Sequence, residues 1–301
     1  MITILGPTAS GKTALAARLA YEIDGEVISA DSRQVYKGMD IGTGKDWGDY
    51  VVNGIRIPTH LVDIAEPGYE YNVFEYQQDF RKVYLEISGR GKMPILCGGS
   101  GMYLEAILKG YDLKIIESDS TSSRLLEQKT AEELKEILLS LRTSHNTTDL
   151  IDRKRTIKAI QIASLSERNE EFQNELPAFN AILFGIRFER EILRTRITDR
   201  LNKRLQNGMI EEVQALLDKG LTPDQLKFYG LEYRYITQFL EKDLDYQTMF
   251  RLLNTAIHQF AKRQMTWFRR MERNGFNIHW IDGTLDEEKK IKLVMALLQH
   301  P

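Results

Sequence analysis

Short apolar runs alternate with helical stretches through the N-terminal third of the chain. The apolar runs 1–5, 27–30 and 93–97 have the length of buried strands, and glycine or aspartate follows each of them. Between these runs, residues 13–23 carry leucine or isoleucine at four-residue steps, and residues 74–88 also have a helical pattern. This alternation of strands and helices predicts an α/β fold with a parallel sheet that helices cover.

The C-terminal part of the chain is predicted to be mostly helical after one more strand. That strand is expected at 181–188, and a helix with apolar residues at four-residue steps follows it from residue 189. The segment 246–273 is predicted as a long helix. The inward positions of this helix are predicted to be Met249, Leu253, Phe260, Trp267 and Met271. In the N-terminal part, residues 57–64 are predicted to form a further extended segment. A last strand and a closing helix are expected at 276–281 and 285–299.

A polar interruption between the two parts indicates an inserted segment. Thr130 and Glu133 have the spacing of a capping box that begins an amphipathic helix, and a second helix is predicted at about 148–164. No strand pattern occurs between these helices and the strand predicted at 181. We therefore expect a discontinuous core domain and a small all-helical insertion domain, which span 1–116 with 181–301 and 117–180, respectively.

Composition excludes several classes of protein. The chain has 301 residues, of which 42% are hydrophobic and 28% charged, so a disordered or fibrous protein is excluded. No apolar run approaches the roughly 18 residues that a membrane span needs. The chain begins with a predicted strand rather than a signal peptide, and its single cysteine, Cys97, has no partner for an internal disulfide. We expect a cytoplasmic monomer that does not contact membranes.

Basic residues concentrate in two blocks although the formal net charge is only −2. Residues 187–204 contain seven Lys or Arg, and residues 262–273 contain five. Such blocks can present a basic face to a polyanion. Most charge runs are solvated helix faces, so charge alone favours that interpretation while leaving the polyanion face open.

A glycine-rich loop carries the first specific chemistry. Its residues match the pattern G-x-x-x-x-G-K-[ST] between a predicted strand and a predicted helix. In such loops the backbone N–H groups and the helix N-terminus surround phosphate oxygens, the lysine neutralises phosphate charge, and the last hydroxyl can coordinate Mg²⁺. The loop predicts a P-loop NTPase-like sheet that binds a di- or triphosphate through Gly6, Pro7, Thr8, Ala9, Ser10, Gly11, Lys12 and Thr13.

Two further strand ends carry polar residues. Asp31 follows the strand predicted at 27–30, and ligands of open α/β sheets bind at such ends. Its carboxylate can hold Mg²⁺ or accept a proton from a nucleophile, or it can simply cap the next turn. Ser100 lies in a Gly-Gly-Ser-Gly run after the strand predicted at 93–97, so its hydroxyl is expected to face the same cleft.

Three motifs together resemble one known family. They read G-P-T-A-S-G-K-T at 6–13, D-S-R-Q-V-Y-K-G-M-D-I-G-T at 31–43 and K-R-Q-M-T-W-F-R at 262–269. In this order they resemble the signatures of the tRNA dimethylallyltransferase family, also called tRNA isopentenyltransferases. The glycine loop alone is not specific, but the combination is.

The resemblance implies a prenyl transfer to tRNA. Members of this family transfer the dimethylallyl group of dimethylallyl diphosphate to N6 of adenosine 37, next to the anticodon, and release pyrophosphate with Mg²⁺ present. By this resemblance Asp31 is the general base, and Ser100 stands where the family has a threonine that positions the adenine. Lys12 and Thr13 complete the catalytic set, with Thr13 as the Mg²⁺ ligand. The loop 6–13 would hold the diphosphate, and the pair Arg196 and Arg200 would lie near the diphosphate or the tRNA backbone.

The resemblance also implies a set of contacts with the anticodon stem-loop of tRNA. Lys158 stands where arginine is common, and the 230–234 run G-L-E-Y-R departs from the usual V-G-Y-R-Q. The implied contact residues are Asp31, Ser32, Arg33, Gln34, Ser100, Lys154, Arg155, Lys158, Tyr233, Arg234, Lys262, Arg263, Gln264, Thr266, Trp267 and Arg269.

Two other functions are compatible with parts of the pattern. A P-loop small-molecule kinase has the same loop and sheet, and Asp31 would then activate a hydroxyl for transfer from ATP. A nucleic-acid-binding NTPase without transferase chemistry would account for the basic blocks. The first leaves the basic C-terminal half unexplained, and the second gives no role to the motif that begins at Asp31.

Overall fold

The structure is a computed structural model, and it describes residues 1–111, 125–141, 153, 156–157, 159–161 and 180–299. The chain divides into two compact units, Met1–Gly110 with Leu176–Pro301 and Tyr111–Glu175. The first unit contains both the sheet and the site that is discussed below. The boundaries of the insertion domain stay a prediction.

The first unit alternates strands and helices along its N-terminal part and becomes helical after the strand at 182. Its strands are β1 (Ile2–Leu5), β2 (Gly25–Ala30), β3 (Val51–Val52), β4 (Ile55–Arg56), β5 (Thr59–His60), β6 (Met93–Gly98), β7 (Ile182–Arg187) and β8 (Ile278–Asp282). Its helices are α1 (Lys12–Glu22), α2 (Val73–Gly89), α3 (Gly101–Leu108), α5 (Arg190–Gln206), α6 (Met209–Asp218), α7 (Pro223–Phe228), α8 (Leu231–Leu240), α9 (Tyr246–Arg273) and α10 (Glu287–Gln299). The second unit contains α4 (Ala131–Leu141).

Six strands form one parallel sheet in the order β5-β2-β6-β1-β7-β8. The central strands are buried along nearly their whole length, because helices cover both faces of a parallel sheet. Since β2, β6 and β1 are neighbours, the segments that follow them begin at adjacent points of one sheet edge. The predicted parallel sheet with flanking helices is confirmed, and its topology brings the three polar strand ends together.

The long helix α9 forms one wall of this edge. It begins at Asp245, whose side chain accepts a hydrogen bond from the Thr248 N–H and so caps the helix. One face of α9 is buried and packs against α8, α5 and α3. Because α3 begins directly after the β6 end, this packing places the middle of α9 over the polar strand ends.

Some predicted elements differ from the structure. Only Thr59–His60 of the segment 57–64 pairs in the sheet, since Leu61 and Asp63 have φ values of 60° and 56° and the chain turns away there. Phe260 does not face the core as predicted, because 38% of its surface is exposed and its ring lines a cavity. In the second unit the Thr130–Glu133 capping box is confirmed, with Thr130 Oγ1 accepting from the Glu133 N–H at 3.2 Å.

The second helix of the insertion, predicted at about 148–164, lies mostly outside the described residues. Among the helices that the structure describes, none has both the length and the apolar character that crossing a bilayer requires.

Candidate active site

The glycine loop links β1 to α1 in the conformation of a phosphate-binding loop. Ala9 and Gly11 adopt positive φ values of 62° and 78°, which turn the backbone around the space above the helix. The N–H groups at the start of α1 have no acceptor within the helix, so they are available to an anion. The Thr8 N–H is already bound, because it donates to Gln264 Oε1 of α9 at 2.8 Å.

Two arginines of α5 donate hydrogen bonds to this loop. Arg196 Nε donates to the Ala9 carbonyl at 3.0 Å, and Arg200 Nη2 donates to Thr8 Oγ1. The four-residue spacing of the pair places both guanidinium groups on one face of α5. Burial, with the nearby Arg204 second, lowers the pKa of Arg200 to about 10. Arg200 remains cationic at neutral pH beside the loop.

Lys12, the first residue of α1, points back toward the glycine loop. Its Nζ lies 3.5 Å from the Pro7 carbonyl oxygen. Burial lowers the pKa of Lys12, whereas the charge of Asp31 opposes that shift. A buried ammonium of this kind interacts strongly with a phosphate, because the phosphate supplies the opposite charge and the hydrogen-bond acceptors that burial takes away.

Asp31 and Ser100 meet where β2 and β6 end. Ser100 Oγ accepts the Ser32 N–H at 3.0 Å and lies 3.3 Å from Ser32 Oγ. One carboxylate oxygen of Asp31 accepts the Arg33 N–H at 3.0 Å, so Asp31 does cap the following turn. It also lines the cavity described next, so capping and chemistry do not exclude each other.

Residues 8–13, Arg200, Asp31 and Ser100 line one cavity of about 550 Å³, the phosphate-loop cavity, whereas Arg196 is not among its lining residues. Gln264 connects its two sides, since Nε2 donates to the Gly99 carbonyl at 2.9 Å while Oε1 holds Thr8. Trp267 closes the wall against Gly101, where a Cβ atom would lie 2.4 Å from the indole ring. The predicted site residues that line it are Thr8, Ala9, Ser10, Gly11, Lys12, Thr13, Asp31, Ser32, Arg33, Gln34, Ser100, Arg200, Arg234, Arg263, Gln264 and Trp267.

Four charged residues that line this cavity were not among the site residues predicted from the sequence. Arg204 shares a four-residue stripe with Arg196 and Arg200 and was expected on a basic face toward tRNA, but it is 8% exposed and its Nη2 pairs with Asp46 Oδ2 at 2.9 Å. Asp49 and Glu232 also line the cavity, and burial raises the pKa of both. The four-residue step from Arg196 through Arg200 to Arg204 was a usable signal, whereas nothing in the sequence marked the three acids.

A second cavity of about 570 Å³, the basic cavity, lies between α5 and α9 and reaches Pro7 of the loop. Its floor is apolar, with Leu193, Ile197 and Met265 among its residues. The charged residues that line it, as far as the structure describes them, are all cations: Arg190, Arg194, Lys262 and Arg269.

The remaining predicted contact residues lie in different surroundings. Tyr233 is 1% exposed and its hydroxyl donates to Glu212 Oε1 at 2.7 Å, so the structure places it in the core. Thr266 is exposed on α9, and its hydroxyl donates to the Lys262 carbonyl at 3.0 Å. Gly6 and Pro7 begin the loop, with Pro7 lining the basic cavity. Three predicted residues lie outside the described residues: Lys154, Arg155 and Lys158.

The chain is similar along its whole length to known tRNA-modifying enzymes. The family described as IPP transferase matches residues 34–271, and the family described as Isopentenyl transferase matches residues 1–61. A tRNA dimethylallyltransferase 2 from Bacteroides fragilis is 52% identical over 300 residues, which are 100% of this chain and 98% of that protein. A tRNA dimethylallyltransferase 1 from Parabacteroides distasonis has the same identity and coverage.

Solved structures agree with this similarity. The tRNA isopentenylpyrophosphate transferase of Bacillus halodurans is 30% identical with a TM-score of 0.72, covering 99% of this chain and 95% of that chain. A eukaryotic dimethylallyltransferase acting on tRNA shares the fold, with a TM-score of 0.79 at 22% identity over 99% of this chain and 79% of that chain. These relatives do not favour the kinase alternative. The chain therefore belongs to the IPP transferase family of tRNA dimethylallyltransferases, and it is an enzyme.

Proposed function

We propose that the phosphate-loop cavity transfers a dimethylallyl group from dimethylallyl diphosphate to N6 of adenosine 37 in the anticodon stem-loop of tRNA, releasing pyrophosphate. The observation that carries this proposal is the convergence of a phosphate loop, the Asp31 carboxylate and the wall of α9 on one cavity of about 550 Å³. We place the reaction in the cytoplasm and expect a monomer to perform it.

The loop side of the cavity is suited to the diphosphate. The start of α1 provides N–H groups that have no acceptor within the helix, while Lys12 and Arg200 provide positive charge. Negative charge builds up on the phosphate oxygens as the allylic carbon–oxygen bond breaks. Donors that are already in place stabilise that charge without rearranging. The same groups therefore both bind the donor and favour departure of pyrophosphate.

Other groups of the cavity are suited to the acceptor base. An exocyclic adenine amine is a weak nucleophile, and Asp31 can accept its proton as the new carbon–nitrogen bond forms. Ser100 fixes the backbone next to Asp31 through the Ser32 N–H. The rings of Phe260 and Trp267 give the wall an apolar part that keeps water away from the allyl group. The base must leave the anticodon loop to reach this cavity.

The donor atoms present fit a bound Mg²⁺. Among the described residues there is no cluster of three or more His, Cys, Asp or Glu that could form a complete metal site. Mg²⁺ does not need one, since it commonly takes one or two protein oxygens together with substrate phosphates and water. Thr13 lines the cavity, and its hydroxyl would supply that protein oxygen. When bound, the ion adds positive charge beside the leaving pyrophosphate.

One turnover experiment tests the proposal. Purified protein is incubated with unmodified tRNA and dimethylallyl diphosphate, and prenylated adenosine and pyrophosphate are quantified. We expect both products in equal amounts, and no phosphate release when ATP replaces the prenyl donor. ATP turnover without prenylated tRNA would refute the proposal in favour of an NTPase or a kinase.

A further inference from the structure

The D-I-G-T run at 40–43 lines the phosphate-loop cavity at Gly42 and Thr43, but Asp40 and Ile41 are not among its lining residues. Its backbone surrounds a protein carboxylate instead of a ligand. The N–H groups of Asp40 and Ile41 donate to Glu212 Oε2 at 2.9 and 2.7 Å, and the Gly42 N–H donates to Oε1 at 3.0 Å. Consecutive N–H groups that converge in this way form an anion-binding concavity. Glu212, on α6, occupies it.

A fourth donor completes the coordination of this carboxylate. The Tyr233 hydroxyl of α8 donates to Glu212 Oε1 at 2.7 Å. The Tyr233 ring also explains Gly42, because a Cβ atom there would lie 2.6 Å from the ring. A carboxylate offers about four acceptor positions, and here all are used. Glu212 therefore fixes the 40–42 backbone against both α6 and α8.

The anchored loop leads directly to two residues of the phosphate-loop cavity. The Gly44 carbonyl accepts a hydrogen bond from Gln34 Nε2 at 3.0 Å. Gly44 also covers Arg204 so closely that a Cβ atom would lie 2.4 Å from Nη2. Gln34 and Arg204 both line the cavity, whereas Glu212 is not among its lining residues. Glu212 can therefore influence Gln34 and Arg204 through this loop without lining the cavity itself.

We propose that Glu212 is a positioning residue of the transferase, acting through the 40–44 loop on Arg204 and Gln34. This inference rests on the proposed function, because it assigns Arg204 to the site that binds the diphosphate. The carboxylate form is required, since a glutamine side chain offers one acceptor oxygen and two donor hydrogens to a set of four donors. Its N–H groups would oppose the backbone N–H groups and displace the loop.

The test is a double-mutant cycle on Glu212→Gln and Arg204→Ala. We expect Glu212→Gln to lower kcat/KM for dimethylallyl diphosphate by about ten- to a hundredfold, as a small displacement of a binding group does. The KM for tRNA should stay within about twofold of the wild-type value. If Glu212 acts in part through Arg204, the loss in the double variant should be smaller than the product of the two single losses.

Controls separate positioning from general damage to the fold. Glu211→Gln changes the neighbouring, exposed carboxylate of α6 and should leave kcat/KM unchanged. If Glu212→Gln fails to fold, Tyr233→Phe replaces it in the same cycle, since it removes one of the four donors and keeps the ring. Multiplicative losses in the double variant, or wild-type kcat/KM for Glu212→Gln, would overturn the inference. Inactivity of the wild-type protein would instead refute the proposed function.

Discussion

The two cavities beside the glycine loop have nearly the same volume, about 550 and 570 Å³, but different charge. The phosphate-loop cavity contains cations and carboxylates, among them the pair Arg204 and Asp46. In the basic cavity every charged lining residue that the structure describes is a cation. Transfer needs a group that accepts a proton as well as groups that hold an anion, whereas binding of RNA phosphates needs only cations. The volumes of the two cavities do not distinguish the two expected roles, prenyl transfer and binding of RNA phosphates, but the balance of charge in each cavity does.

Helix α9 contributes to both cavities. Arg263, Gln264 and Trp267 line the phosphate-loop cavity, whereas Lys262, Met265 and Arg269 line the basic cavity. A helix has 3.6 residues per turn, so a continuous motif of eight residues covers every side of it. The K-R-Q-M-T-W-F-R run therefore contributes one set of side chains to each cavity, and substitutions can change one set without the other.

The largest effect is expected from removing the carboxylate of the phosphate-loop cavity. Asp31→Asn should slow prenyl transfer by about 10²–10⁴-fold while tRNA and pyrophosphate still bind, because general-base catalysis is lost. Single-turnover rates and separate binding measurements check this. Asp24→Asn is a matched control, since Asp24 precedes β2 at the opposite end of the strand that Asp31 follows. A variant with near-normal turnover would remove Asp31 from the mechanism.

The next effect concerns the buried cation of the same cavity. Lys12→Met should weaken pyrophosphate binding and lower the rate by about 10²-fold or more, because the loop loses its charge. Burial lowers the pKa of Lys12, so between the lowered and the ordinary value the unfolded chain binds more protons than the folded protein. The free energy of unfolding of the wild type should therefore rise with pH in that window, and Lys12→Met should remove this rise.

Calorimetric binding of pyrophosphate and denaturant unfolding across pH check both parts of that prediction. Lys92→Met is the control, because the Lys92 ammonium is partly exposed and pairs with Asp24. Unchanged pyrophosphate affinity in Lys12→Met would show that the loop is not the diphosphate site.

The smallest effect belongs to the basic cavity. Lys262→Ala with Arg269→Ala should lower tRNA affinity about tenfold and leave dimethylallyl diphosphate binding unchanged. The slope of log affinity against log salt should flatten by roughly 0.7–0.9 for each lost phosphate contact. Salt titrations of tRNA binding measure this slope, with Lys219→Ala as a control outside both cavities. Parallel titration lines for the variant and the wild type would mean that this face is only solvated.

The sequence predicted local elements better than it predicted their surroundings. The loop, α1, β6 and α9 follow from apolar periodicity and from motifs that act over a few residues. Phe260 fitted the inward stripe of α9 but faces the cavity, because the neighbouring helices leave that side of α9 open. Tyr233 was expected to contact tRNA, yet Glu212, 21 positions earlier in the chain, holds its hydroxyl in the core.

The same limit applies to the charges of the site. Asp46, Asp49 and Glu232 come to the phosphate-loop cavity from two separate segments, and no spacing in the sequence connects them with Arg200 or Arg204. Glu232 lies in the run that departs from the family pattern. Pairings of this kind are set by which helices cover the sheet edge, so they become visible only in the structure.

Chemical labelling of the single cysteine can measure local opening of the structure next to the glycine loop. Cys97 is buried near the end of β6, and its Sγ lies 3.6 Å from the Lys12 carbonyl oxygen at the start of α1. Burial raises the pKa of its thiol to about 12, so a thiol reagent meets almost no thiolate while the fold is closed. Labelling of Cys97 therefore requires local opening around α1, and the labelling rate measures how often such openings occur. We expect a bound diphosphate to make these openings rarer, so occupancy of the proposed site should lengthen the labelling time of Cys97.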